Sequence, residues 1–223
     1  RIYNIINMIT IEELIKFETQ IGDLFNTKQI RAPIHLYHGN EKKIMEIFKR
    51  VDITNDWVCC TWRNHYQALL KNIPPEYLKD KIVKGKSMVL TLPEYKFICS
   101  SIVGGIPSIA TGIALGLQLE KTAHRVWCWV GDMSAETGAF HEAYKYARNH
   151  ELPVTFIVES NGLSVMTPTE ETWKRDMPYY INNAHKFYQK MEEGGIYEQP
   201  GLIYYEYKNQ RYPHAGAGIR VQF

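Results

Sequence analysis

At 223 residues the chain suits one large α/β domain or two small ones, and a sizeable core is easily buried. Its 26 basic and 24 acidic side chains leave a net charge of +2 without a clustered basic face, which argues against nucleic acid as a partner. No apolar run approaches the roughly 18 residues of a membrane span, and the cysteines at 59, 60, 99 and 128 have neither Cys-x-x-Cys nor zinc spacing.

The stretch Arg1 to Met8 has a short apolar run without a cleavable signal pattern, and Met8 is a candidate natural start. Thr10-Ile-Glu-Glu13 is a capping box, and the helix it opens is expected to turn Ile11, Leu14, Ile15, Ile21, Leu24 and Phe25 inward. Arg31 to Asn40 reads as a loop and Glu41 to Val51 as a basic amphipathic helix. Asp56 to Thr61 is a strand that ends in Trp62-Arg63-Asn64-His65. A helix continues to Lys71, and another begins at Pro75, where proline is tolerated. Cys99, inside the apolar run from Phe97, and Cys128 read as reduced core residues, which implies a reducing, cytoplasmic compartment. Ser101 to Pro107 is a glycine loop before a helix over 108–119. Gly112 and Gly116 in that helix each cost roughly 1 kcal/mol relative to alanine. Their presence predicts close approach of another backbone, within this chain or from another subunit.

His124 to Val130 is a buried strand that ends at Gly131-Asp132. Thr137 to His150 carries Phe140, Ala143, Tyr144 and Ala147 at the spacing of an amphipathic helix. Pro153 to Val158 is the next buried strand, and it delivers Asn161. A right-handed crossover makes the two strands parallel, so Asp132 and Asn161 emerge at the same carboxyl edge of the sheet. A carboxylate and an amide oxygen there suit a magnesium ion carrying a diphosphate. Beyond them, Thr167 to Arg175 reads as a polar loop, Met177 to Met191 as a helix, Leu202 to Tyr207 as a late strand and Asn209 to Gly218 as a flexible loop. No repeat or linker divides the chain. The expectation is a single domain over 1–223, an α/β fold with an open, mostly parallel sheet and helices on both faces.

The pair Gly131-Asp132, followed 161 − 132 = 29 residues later by Asn161-Gly162-Leu163, resembles the thiamine-diphosphate signature. Met133 stands where that signature has glycine, so its side chain is expected to point away from the phosphates. Ser160 replaces the first of two asparagines. Three more segments, His35-Leu-Tyr-His-Gly-Asn-Glu41, Trp62-Arg-Asn-His65 and Ile102-Val-Gly-Gly-Ile-Pro107, resemble motifs of the α subunit of the two-chain 2-oxoacid dehydrogenases of the pyruvate, branched-chain and acetoin type. The likeness runs from about Thr10 to Thr169 and continues loosely through Arg211-Tyr212 to His214.

That resemblance implies thiamine diphosphate and Mg2+ as cofactors. It assigns cofactor contacts to Trp62, Arg63, Ser101, Val103, Gly104, Gly131, Asp132, Met133, Ser134, Asn161 and Leu163, with Asp132, Asn161 and the Leu163 carbonyl on the metal. Arg63 offers a planar fork of donors for a diphosphate, and Trp62 stacks on the cofactor or roofs the pocket. His35, His65 and His214 are the implied catalytic side chains, able to move protons near neutrality. The implied reaction cleaves or decarboxylates a 2-oxoacid and passes on the acyl- or aldehyde-level fragment. A β subunit would supply the aminopyrimidine half-site in an α2β2 assembly. After Val165 only 223 − 165 = 58 residues remain, against about 100–150 for a typical domain, so the chain is expected to be inactive alone. The alternatives are a split transketolase-like subunit that transfers a two-carbon ketol unit, and a cofactor-binding regulatory or degenerate homologue.

Overall fold

The computed structural model describes residues 9–164, 167–174 and 177–218. In chain order, α1 (Ile11–Asn26) and α2 (Glu41–Phe48) precede strand β1 (Trp57–Cys60), which leads into α3 (His65–Leu70) and α4 (Pro75–Val83). The short β2 (Thr91–Leu92) and β3 (Phe97–Cys99) follow, then α5 (Gly105–Leu119), β4 (Val126–Gly131), the single turn α6 (Asp132–Ala135), α7 (Gly138–Asn149) and β5 (Val154–Ser160). A small hairpin, β6 (Leu163–Ser164) with β7 (Thr167–Pro168), leads to α8 (Thr169–Trp173), α9 (Ala184–Glu192), β8 (Ile196–Gln199) and β9 (Leu202–Glu206).

The main sheet has seven strands in the order β2-β3-β1-β4-β5-β9-β8. The five inner strands run parallel, and the two edge strands are antiparallel to their neighbours. Alternate residues of each strand face opposite sides, as the two-residue period of a strand requires. Val58, Cys60, Trp127, Trp129 and Ile157 pack beneath α1 to α4, whereas Cys59, Cys128, Val130, Phe156 and Val158 pack beneath α5, α7 and α9. This is the expected fold class.

The order also fixes where a crevice must open. From the carboxyl end of β1 the chain departs into α3 on one face; from the end of the adjacent β4 it departs towards α7 on the other. Connections that diverge in this way leave a gap at the strand ends, the usual ligand position in a parallel sheet.

Local detail departs from expectation in several places. The capping box forms; the buried side of α1 adds Phe17 and Glu18 to Leu14, Ile21 and Phe25, while Leu24 packs partly buried against the same core and Ile11 and Ile15 are half-buried. Thr169–Trp173 is a helical turn, and the helix expected from Met177 begins only at Ala184, N-capped by Asn183. Among the described residues no neighbouring backbone or side chain approaches a Cβ built at Gly112 or Gly116 within 4 Å, so close packing against them does not explain either glycine. All four cysteines are buried and unpaired, and burial raises each thiol, which leaves them inert. Among the described residues no helix is long and apolar enough to cross a membrane.

Candidate functional site

The crevice holds a pocket lined by Thr61, Trp62, Arg63, Val103, Gly131, Asp132, Met133, Ser134, Glu159, Asn161, Leu163, Ser164, Tyr207 and His214. Its wall therefore comes from the ends of β1, β4 and β5 together with residues that follow β9. Asp132 lies just past β4, and the β4–β5 register sets Gly131 opposite Glu159, so Asp132 and Asn161 reach the same edge. Asp132 Oδ2 accepts the Gly162 N–H at 2.8 Å and the Thr169 hydroxyl at 3.0 Å, while Oδ1 accepts the Met133 N–H at 3.0 Å. Burial nevertheless lifts its carboxyl above the ordinary aspartate range, as expected for a charge shut away from water. Asn161 Oδ1 accepts the Leu163 N–H at 3.1 Å, which leaves it a second lone pair. Gly162 between them has φ +74, a left-handed conformation that suits glycine.

Across the pocket, Arg63 is only 7% exposed. Its guanidinium donates to the carbonyl oxygens of Leu36 (3.3 Å) and His214 (2.7 Å) and to the Tyr207 hydroxyl (3.4 Å). Among the described residues it forms no ion pair. His214 also lines the pocket, and both of its ring nitrogens are buried without a hydrogen-bond partner. Burial and the neighbouring Arg63 hold it down to about 4, so the ring is neutral at pH 7.

The other two histidines behave differently. His35 stands behind His214: its Nδ1 donates to the His214 carbonyl at 2.9 Å, and its ring packs against Trp62 and His214 at 5.5 and 5.4 Å. Burial holds it down to about 3. It braces the pocket wall and is not part of the lining. The catalytic role expected of His65 does not fit its position. It is fully buried, Nδ1 donates to Glu18 Oε2 at 2.9 Å, and Nε2 lies 2.8 Å from Ser87 Oγ.

Two backbone expectations also change. Ser101 is outside the lining, and the Gly104 N–H is spent on Ser134 Oγ at 2.9 Å. Gly104 instead caps α5 at φ +75, where a Cβ would come within 2.9 Å of Thr137 Oγ1. Met133 stays in the pocket wall, with its sulfur accepting the Trp173 Nε1–H at 3.1 Å. Asn209 to Gly218, expected to be a free loop, is tied down: the Gly216 N–H donates to Ile34 at 2.8 Å, and His214 supplies the carbonyl shared by His35 and Arg63.

Sequence reasoning missed Glu159 and Tyr207. Glu159 offered a signal, being a carboxylate at the end of the otherwise uncharged run Val154 to Val158. Its oxygens accept Tyr37 Oη–H at 2.5 Å, Asn40 Nδ2–H at 3.2 Å and the Tyr205 hydroxyl, and burial pushes it up to about 7.

The fold is thus of the α/β class, with a buried guanidinium and a buried aspartate lining one pocket at the carboxyl edge of a mostly parallel sheet. The chain belongs to the dehydrogenase E1 component family, whose model matches residues 10–188. It is 28% identical over 209 residues to the pyruvate dehydrogenase E1 component subunit alpha of Rickettsia typhi, covering 87% of this chain and 60% of that one. The corresponding subunit of Zymomonas mobilis is 28% identical over 84% of this chain and 52% of its own length. The alpha subunit of the acetoin:2,6-dichlorophenolindophenol oxidoreductase of Bacillus subtilis is 29% identical over 71% of this chain and 50% of its own. The chain thus spans 60% or less of the length of these relatives.

Proposed function

We propose that residues 1–223 form one domain that binds the diphosphate end of thiamine diphosphate with Mg2+, as the α-type subunit of an enzyme acting on a 2-oxoacid. One observation carries the reading. Among the described residues neither the buried cation Arg63 nor the buried carboxylate Asp132 forms an ion pair, and both line one pocket. Isolated buried charges are costly, and a magnesium diphosphate offers each its complement. Hard oxygen donors suit Mg2+, which takes one or two carboxylates and completes its shell from phosphate and water.

In this reading Asp132, the Asn161 amide oxygen and the Leu163 carbonyl hold the metal, and Arg63 takes the diphosphate oxygens as a bidentate donor. Gly131, Met133 and Ser134 wall the metal side; Trp62 and Val103 wall the side towards the rest of the cofactor. Bound thiamine diphosphate supplies the electron sink for breaking the bond beside a carbonyl. The neutral ring of His214 offers one donor and one acceptor to the substrate, and His35 orients it through the His214 carbonyl. The relatives named above are described neither as transketolases nor as regulatory proteins.

A second chain completes the site. The α5–α7 groove, lined by Ser108, Thr111, Gly112, Leu115, Ala143 and Tyr146, supports a subunit contact, and an α2β2 assembly with a β subunit is the proposed form. The buried, unpaired cysteines support a cytoplasmic setting. Calorimetry with thiamine diphosphate and Mg2+ tests the pocket. Asp132→Ala and Asn161→Ala should each weaken magnesium-dependent binding by about a hundredfold while the fold persists. Unchanged affinity in either variant overturns the metal assignment, and turnover of an oxoacid by this chain alone overturns the need for a partner.

A further inference from the structure

Glu159 lines the pocket yet forms no ion pair among the described residues, although Arg63 lines the same pocket. Three neutral donors already engage its two oxygens. Tyr205 and Asn40 donate to Oε1, and Tyr37 donates to Oε2. Tyr37 in turn is held at both ends. Its N–H donates to Glu18 Oε1 at 3.0 Å, and its hydroxyl receives Gln67 Nε2–H at 2.6 Å with the Arg63 carbonyl 3.0 Å away. The Arg63 guanidinium lies over the Tyr37 ring at 5.8 Å. Tyr37 therefore touches Arg63 at its backbone and at its side chain, and Glu159 fixes the end of Tyr37 that does so.

We propose that Glu159 is a positioning residue for the bound anion, acting through Tyr37 to hold Arg63 towards the pocket. Three neutral donors keep the carboxylate from drawing the guanidinium onto itself, so the fork stays available to an incoming diphosphate. The inference rests on the anion-binding reading of the pocket given above. Glutamine at 159 would place an amide where three donors converge, and one of them would lose its acceptor.

The test is the affinity of the purified chain for inorganic pyrophosphate with Mg2+, measured by calorimetry in a double-mutant cycle. Glu159→Gln should weaken binding about tenfold, the scale of one charge-assisted hydrogen bond lost from alignment. In the Arg63→Lys background the same change should cost less than about twofold, because the contact it serves is already gone. A loose, merely structural effect would cost the same in both backgrounds and would overturn the proposal, as would wild-type affinity in Glu159→Gln. If Glu159→Gln does not fold, Tyr37→Phe keeps the ring under Arg63, removes the hydroxyl and carries the same expectations. A wild-type chain that binds no pyrophosphate removes the pocket reading and this inference together, whereas wild-type binding with an additive cycle removes the inference alone.

Discussion

The two faces of the sheet are built on different principles. Under α1 to α4 the core contains polar groups that find partners inside the chain: His65 between Glu18 and Ser87, and Lys71 donating to the carbonyls of Ile53 and Asp56 at 2.6 and 2.5 Å. Under α5, α7 and α9 the core is mainly apolar, with alanines Ala110, Ala114, Ala143 and Ala147 on the helices and packed aromatic rings such as Phe140, Phe156 and Phe187. The outer side of α5 stays open, with Ile109 and Leu119 exposed beside Gly112. The first face satisfies these polar groups within the chain. The second buries one side of its helices and leaves the other as a smooth apolar surface, the form expected of a contact with another chain.

The sharpest way to break this contrast is to strike the closed face. His65→Leu strips the fully buried Glu18 of a hydrogen-bond partner and should destabilise the chain by about 3 kcal/mol. Urea denaturation measures it; a loss below about 1 kcal/mol would show that the polar core is not what holds this face.

Acid should act next, on the seam where this face meets the pocket. Burial holds His35 down to about 3 and His214 to about 4, against an ordinary value of 6.5. Between pH 6.5 and about 3 the unfolded histidines take up protons that the folded ones refuse, so their contribution to stability is full above that window and falls as pH drops through it. His35→Gln should make the decline shallower in denaturation curves recorded from pH 7 to 5, and an identical slope would refute the account.

The open face should barely respond in the isolated chain. Gly112→Ala meets nothing within 4 Å and should stabilise α5 by about 0.5–1 kcal/mol. The same methyl should weaken association with the partner subunit if another backbone packs there. Tighter or unchanged assembly, read by sedimentation, would move the contact elsewhere.

The placement of Asp132 and Asn161 at one sheet edge was legible in the sequence, because every step to it is local. A buried strand, a helix with apolar residues at the right period and a second buried strand bring Asp132 and Asn161 to one edge whatever else the chain does. The capping box of α1 and the N-cap of α7 at Thr137 were legible for the same reason. The helix expected from Met177 was not: periodicity cannot place a helix start, and the Asn183 side chain supplies the cap from which the helix begins at Ala184, seven residues after Met177.

What the sequence by itself determined, then, is the α/β class, the strand-helix-strand unit and the residue types an anion-and-cation site needs. What only the tertiary structure decided is which of those residues share the pocket. His65 and Arg63 sit two positions apart, yet one is sealed against Glu18, 47 residues earlier, and the other faces the crevice. Glu159 became the anchor of Tyr37, 122 residues earlier, while the loop around His214 was pulled in by carbonyl contacts to Arg63 and His35. These choices depend on buried hydrogen bonds between distant segments, and a buried polar group takes whichever partner the packed fold brings within reach.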